Sequence, residues 1–182
     1  TYYVRAYAIN INGTTYGDEL SFTTTQQPII GQTYQGGIIA YLLQPGDPGY
    51  DYNIPHGVIA APTDQAQGII WGCTNTTIGA TESGLGYGAA NTTAIVNGCA
   101  QISIAARICD DLVLNGYGDW YLPSYDELEQ LYLNLHLNGI GDFSSQDYWS
   151  STEYTALYAG KFSFFPGIAN YASKGSTYYV RA

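Results

Sequence analysis

The sequence predicts an α+β fold in which short antiparallel strands carry most of the chain and two helices pack on them. Among 182 residues only 11% are charged and 46% are hydrophobic, with 19 Tyr and 22 Gly. That composition suits short aromatic strands and tight turns rather than long helices or disorder. Period-two alternation marks both ends of the chain, and helical periodicity marks two stretches in the middle. The length suits one domain with an appendage, or two small domains, and is enough to bury a substantial core.

Residues 1–25 alternate as strands on either side of the turn-forming Asn10-Ile11-Asn12-Gly13, which predicts a β-hairpin. Its Tyr-x-Val-x-Ala pattern, the Asn-Gly turn and the Ser-Phe-Thr-Thr exit resemble the last two strands of a fibronectin type III domain. A lone hairpin is marginal in water. It is therefore expected to dock, either on the domain that follows or on a neighbouring molecule by strand addition. Residues 26–29 form a short linker, and residues 30–182 the main domain.

IIGQTYQGGIIAYLL, HGVIAAP and GIIWGC follow as strands, separated first by the loop QPGDPGYDYN. Residues 74–98 lack periodicity and are expected to form a long ordered loop with at most one helical turn. In AQISIAARICDDLVLNG the apolar Ile104, Ile108 and Leu112 recur at helical spacing, and Asn115-Gly116 supplies the stop. In LPSYDELEQLYLNL, Ser124 and Glu127 form a capping box, while Leu128, Leu131, Tyr132 and Leu135 line one face. The last third, with YWSSTEY, LYAGKFSFF, GIANYAS and STYYVRA, returns to short aromatic strands that fit an antiparallel sheet.

Charge removes several functions. Fifteen acidic residues against five basic ones give a net charge of −10, which repels phosphate backbones and anionic headgroups. Nucleic acid is not an expected partner, and no apolar run approaches the roughly 20 residues that would insert into a membrane. With no Met, the chain is expected to be a portion of a longer exported precursor, secreted or held at the cell surface. Sequons at Asn12, Asn75 and Asn91 permit glycosylation, although so Asn- and Thr-rich a chain produces them by chance.

Of the three cysteines, Cys73 and Cys99 each follow a Gly in turn-like sequence and are expected to be joined, which would contribute roughly 3–4 kcal/mol through loop closure. Cys109 falls in the helical pattern as a buried thiol. Catalysis has little support. His56 and His136 sit in no nucleophile motif, Glu127 is explained by capping, and Asp110-Asp111 by a solvated helix face; no enzyme is expected. No cofactor is required, with calcium as an option at Asp47, Asp51 and Asn53 in an acidic loop whose turn-forming residues equally explain it.

Asp119-Trp120-Tyr121-Leu122-Pro123-Ser124 together with Trp149-Ser150-Ser151-Thr152-Glu153 and the closing Tyr178-Tyr179-Val180-Arg181 resemble the C-terminal domain of collagen-like bacterial adhesins, the Lcl type. The same residues resemble, more distantly, the C-type-lectin-like fold of formylglycine-generating enzymes, whose late redox cysteines this chain lacks. The resemblance implies two helices on a twisted antiparallel core, long loops on one face, and pairing of the first and last strands. It also implies a ligand surface in the late segment, where Tyr148, Trp149, Tyr154, Tyr158, Phe162, Phe164, Phe165 and Tyr171 cluster in sequence. Aromatic rings stack on sugars and anchor protein interfaces, so the expected partner is a glycan or a protein. Adhesins of this type are associated with sulfated glycosaminoglycans, for which Lys161, Lys174 and Arg181 offer little, so neutral glycans or proteins fit better.

One repetition stays open. Thr1 to Ala6 recur unchanged as Thr177 to Ala182, either because one hexapeptide solves two strand problems or because the chain is one period of a tandem array. A filament built by docking residues 1–25 onto a neighbouring subunit is the alternative to ligand binding.

Overall fold

A computed structural model describes residues 1–22 and 27–182. Thr23 to Thr25 of the expected hairpin and Gln26 of the expected linker lie outside the described residues. The N-terminal hairpin consists of β1 (Tyr2–Asn10) and β2 (Gly13–Phe22), paired from Tyr2 opposite Phe22 to Asn10 opposite Gly13. The side chain of Asn10 accepts from the Asn12 amide at 2.8 Å, which locks the turn. One face collects Tyr2, stacked on Phe22, with Val4 and Leu20 beside them. Every residue of the hairpin is nonetheless exposed, so it does not lie on the domain that follows.

A three-stranded antiparallel sheet comes next, in the order β3 (Thr33–Tyr34), β4 (Gly37–Leu42), β5 (Gly57–Ala60). A five-stranded sheet has the order β6 (Ala66–Ile70), β10 (Thr177–Val180), β7 (Asp147–Glu153), β8 (Tyr158–Ser163), β9 (Ile168–Ser173). The final strand therefore lies between β6 and β7 and pairs with neither β3 nor β4, contrary to the expected union of first and last strands. It also runs parallel to β7 at Tyr179 and Tyr148, a departure from the all-antiparallel expectation.

Three helices cover these sheets. α1 (Gly88–Gly98) falls inside the stretch expected to be a loop. Its Gly, Asn and Thr content gives no helical pattern, so tertiary bonds hold it: Thr92 Oγ1 accepts from the Leu122 amide at 3.0 Å, and Asn91 donates to the Glu82 carbonyl at 2.6 Å. α2 (Ala105–Asp110) is shorter than the expected helix, and its buried side chains are Ala105, Ala106 and Cys109 rather than the Ile108 and Leu112 that carried the periodicity. Arg107 of α2 links it to α1. It folds back to donate to the carbonyls of Val96, Cys99 and Gln101, and so closes the end of α1. α3 (Tyr125–Asn134) begins at Ser124 with the reciprocal Ser124 and Glu127 bonds of a capping box, as its sequence indicates.

Two apolar clusters result. Trp71, Trp149, Ile95, Leu122 and Val180 fill the space between the large sheet and the first two helices. Leu128, Leu131, Leu135, Tyr148, Phe162 and Phe164 join α3 to the other face of that sheet. Cys73 and Cys99 are bonded, tying the approach to α1 to its far end, and Cys109 is a buried free thiol.

Candidate functional site

The rings expected to form a ligand surface separate into two groups. Tyr148, Trp149, Phe162 and Phe164 are at most 2% exposed; the first three leave the candidate site, because β7 and β8 turn them into the two clusters. Trp149 spends its indole N–H on the Ile69 carbonyl, and Tyr148 its hydroxyl on Asp64. Tyr154, Tyr158, Phe165 and Tyr171 remain exposed. The structure joins two of them in a column. Tyr154 stacks on Tyr171 with ring centroids 4.1 Å apart, and Tyr171 stacks in turn on Tyr125 at 6.0 Å.

Each member is placed by a separate device. Tyr171 stands opposite Gly160 in the β8–β9 ladder. Only a glycine fits there, since a Cβ on residue 160 would sit 2.8 Å from the Tyr125 ring. Tyr125 is the first residue of α3, and its amide donates to Thr152 Oγ1 at 3.1 Å. Tyr154 sits in the turn between β7 and β8, where the amides of Tyr154 and Thr155 both donate to the Tyr158 carbonyl at 3.0 Å. Sequence reasoning missed Tyr125 because the capping box accounts for the start of α3 without assigning that ring a face.

Glu153, next to Tyr154 in the chain, belongs to a buried ion pair. Lys174 donates to Glu153 and to the Thr76 carbonyl, and its ammonium lies 4.5 Å from the Trp71 ring centroid. Burial alone would raise the Glu153 carboxyl. Lys174 and the amides of Ile78 and Gly79 outweigh it and hold the group below the usual carboxylate range. Burial, followed by the nearby Tyr171, Glu129 and Asp126, pushes the Tyr125 hydroxyl up to about 12, so it keeps its proton at neutral pH. The hydroxyls of Tyr125, Tyr154 and Tyr171 bond no group among the described residues. The column thus offers the outer face of Tyr154 and a row of phenol hydroxyls.

All five cations of the chain are already engaged. Arg5 faces Glu19, Lys161 meets Asp147, Lys174 meets Glu153, Arg181 meets Asp64, and Arg107 caps α1. In the acidic loop, Asp47 accepts from the Tyr41 hydroxyl and the Gln44 amide, while Asp51 accepts from the Asn53 and Ile54 amides. These carboxylates cap turns. Among the described residues no group of three or more His, Cys, Asp or Glu side chains could hold a metal ion. His56 is exposed in a loop, and His136 stacks between Tyr132 and Phe164. Of the sequon residues Asn12 and Asn75 are exposed, whereas Asn91 is buried with its amide bonded. No helix among the described residues is long and apolar enough to cross a membrane.

No curated protein matches the chain. The model of the Lcl C-terminal domain family matches residues 61–182, which include α1 to α3, the large sheet and the whole tyrosine column. With more than half its length covered, the chain belongs to the Lcl C-terminal domain family.

Proposed function

We propose that the chain is a non-catalytic binding module of an exported or cell-surface protein, recognising an uncharged glycan through the column of Tyr154, Tyr171 and Tyr125. The observation that carries this reading is an exposed aromatic stack with free hydroxyls on a chain whose every cation is engaged internally. Rings supply apolar contact to sugar faces at little entropic cost, and phenols supply hydrogen bonds to hydroxyls. A sulfated chain would find no free Lys or Arg. The hydrogen-bonded turn and the buried ion pair of the adjacent Glu153 would hold the surface in its binding geometry. Replacing Tyr154 or Tyr171 by Ala is expected to lower binding to an array of neutral glycans at least about tenfold, with the thermal midpoint shifted by no more than a few degrees. Undiminished binding by both variants would dismiss the site.

A second reading draws on the hairpin. Its Tyr2, Val4, Leu20 and Phe22 face is uncovered, and both strands present free edges. Docking of that face on another subunit would build a fibre, since head-to-tail contacts that do not close give open filaments. Deletion of residues 1–25 would then leave a folded domain that no longer assembles, as electron microscopy would reveal. Equal assembly by both forms would end this reading.

A further inference from the structure

A cleft of about 790 Å³ opens against the small sheet, with Leu131 of α3 also among its lining residues. Ile39 and Ile59, side by side in the β4–β5 ladder, belong to its floor, and Trp120 and Tyr34 to its walls. Gly37 lets the wall come close: a Cβ there would sit 2.9 Å from the Trp120 ring and 2.6 Å from the Ala60 carbonyl oxygen. The sheet that makes the floor spans residues 33–60 and precedes the residues matched by the family model.

We infer that this cleft is a second binding site, distinct from the tyrosine column, and that its ligand is a short neutral saccharide. The volume lies within the range of small-molecule sites, roughly 300–1,000 Å³. The lining mixes aromatic and aliphatic surface with planar polar groups, and the side chains of Gln35, His56 and Asp119 bond no group among the described residues. A wholly apolar ligand would strip water from these three groups and replace none of its hydrogen bonds. An anion would meet Asp119 and no Lys or Arg. An extended peptide is disfavoured because the Trp120 indole N–H, which would hold a peptide carbonyl, is given to the Tyr117 carbonyl at 3.2 Å. A saccharide places a C–H face on the exposed Tyr34, touches the 6% of Trp120 that is accessible, and places hydroxyls on Gln35, His56 and Asp119.

The three tryptophans make the test internal to the intact chain. Trp71 and Trp149 are fully buried with their indole N–H groups bonded to carbonyls, so their indole NMR signals serve as references for that of Trp120. Titrate with neutral tetrasaccharides of glucose, mannose, galactose and xylose, and in parallel with a sulfated tetrasaccharide and a proline-rich decapeptide. At least one neutral sugar is expected to move the Trp120 signal saturably while the other two stay still. Tyr34→Ala and Asp119→Ala should each weaken that binding about tenfold or more, and Tyr154→Ala should leave it unchanged. The proposal fails if no neutral sugar moves Trp120, or if only the sulfated sugar or the peptide does. It also fails if Tyr154→Ala abolishes the response while Tyr34→Ala preserves it, a pattern that would return binding to the tyrosine column alone.

Discussion

Two copies of one hexapeptide show how much a residue owes to its surroundings. In β1, Arg5 lies 3.5 Å from Glu19 with half its side chain exposed; in β10, Arg181 is fully buried, 2.7 Å from Asp64, and donates to the carbonyls of Ala61, Gly141 and Asp142. Tyr2 stacks on Phe22 in solvent, whereas its counterpart Tyr178 packs edge-on against Trp149. The alternation of the two faces was legible in TYYVRA; the burial was not, because it depends on strands more than 25 residues away. The same holds for Glu153, whose role next to Tyr154 comes from Lys174 and two distant amides. Because its folded pKa lies below the ordinary 4.5, the stability it contributes is present above that value and is lost as pH falls through the folded value. Glu127, raised by burial, works in the opposite direction. Glu153→Gln should therefore cost about 3–5 kcal/mol near neutrality by leaving Lys174 buried and unpaired. It should also reduce the loss of stability below pH 4.5, which thermal melts between pH 3 and 7 would record. Equal acid sensitivity in both proteins would remove Glu153 from this role.

Among the elements, those with a local mechanism were legible and those held from outside were not. α3 was visible because Ser124 and Glu127 bond each other across one turn and Leu128, Leu131 and Leu135 share a face. Ser124 also donates to the Gly84 carbonyl at 2.7 Å. Ser124→Ala should cost about 1–2 kcal/mol and lower the melting midpoint by about 3–6 °C; an unchanged midpoint would mean the cap is dispensable. α1 was invisible because GAANTTAIVNG has neither a helical stripe nor a capping side chain, and its order comes from Leu122, Glu82, Arg107 and the disulfide. The periodicity of Ile104, Ile108 and Leu112 extended α2 too far, because the chain turns at Leu112 and Asn115 takes a left-handed conformation at φ 52°. For the candidate site, Tyr154 and Tyr171 could be named from the aromatic run. Alternation alone could not separate them from Tyr148 and Trp149, which the strands turn inward, and it gave no sign of Tyr125.

At the scale of the whole molecule, the charge balance decides what kind of partner the surface accepts. A net charge of −10 with every Lys and Arg engaged internally leaves aromatic rings, phenols, amides and carboxylates as the groups available for recognition. It also makes binding to a neutral ligand insensitive to salt, since no counterions are released and no exposed ion pair is screened. The measurement that tests this account most directly is binding of the intact chain to an array holding neutral and sulfated glycans, at low and physiological ionic strength. The account predicts that neutral glycans are bound and sulfated ones are not, with signals that hold across both salts and that fall on replacing Tyr154 and Tyr171, any remainder belonging to the cleft beside Tyr34. Preferential binding to sulfated glycans that fades with added salt would contradict it.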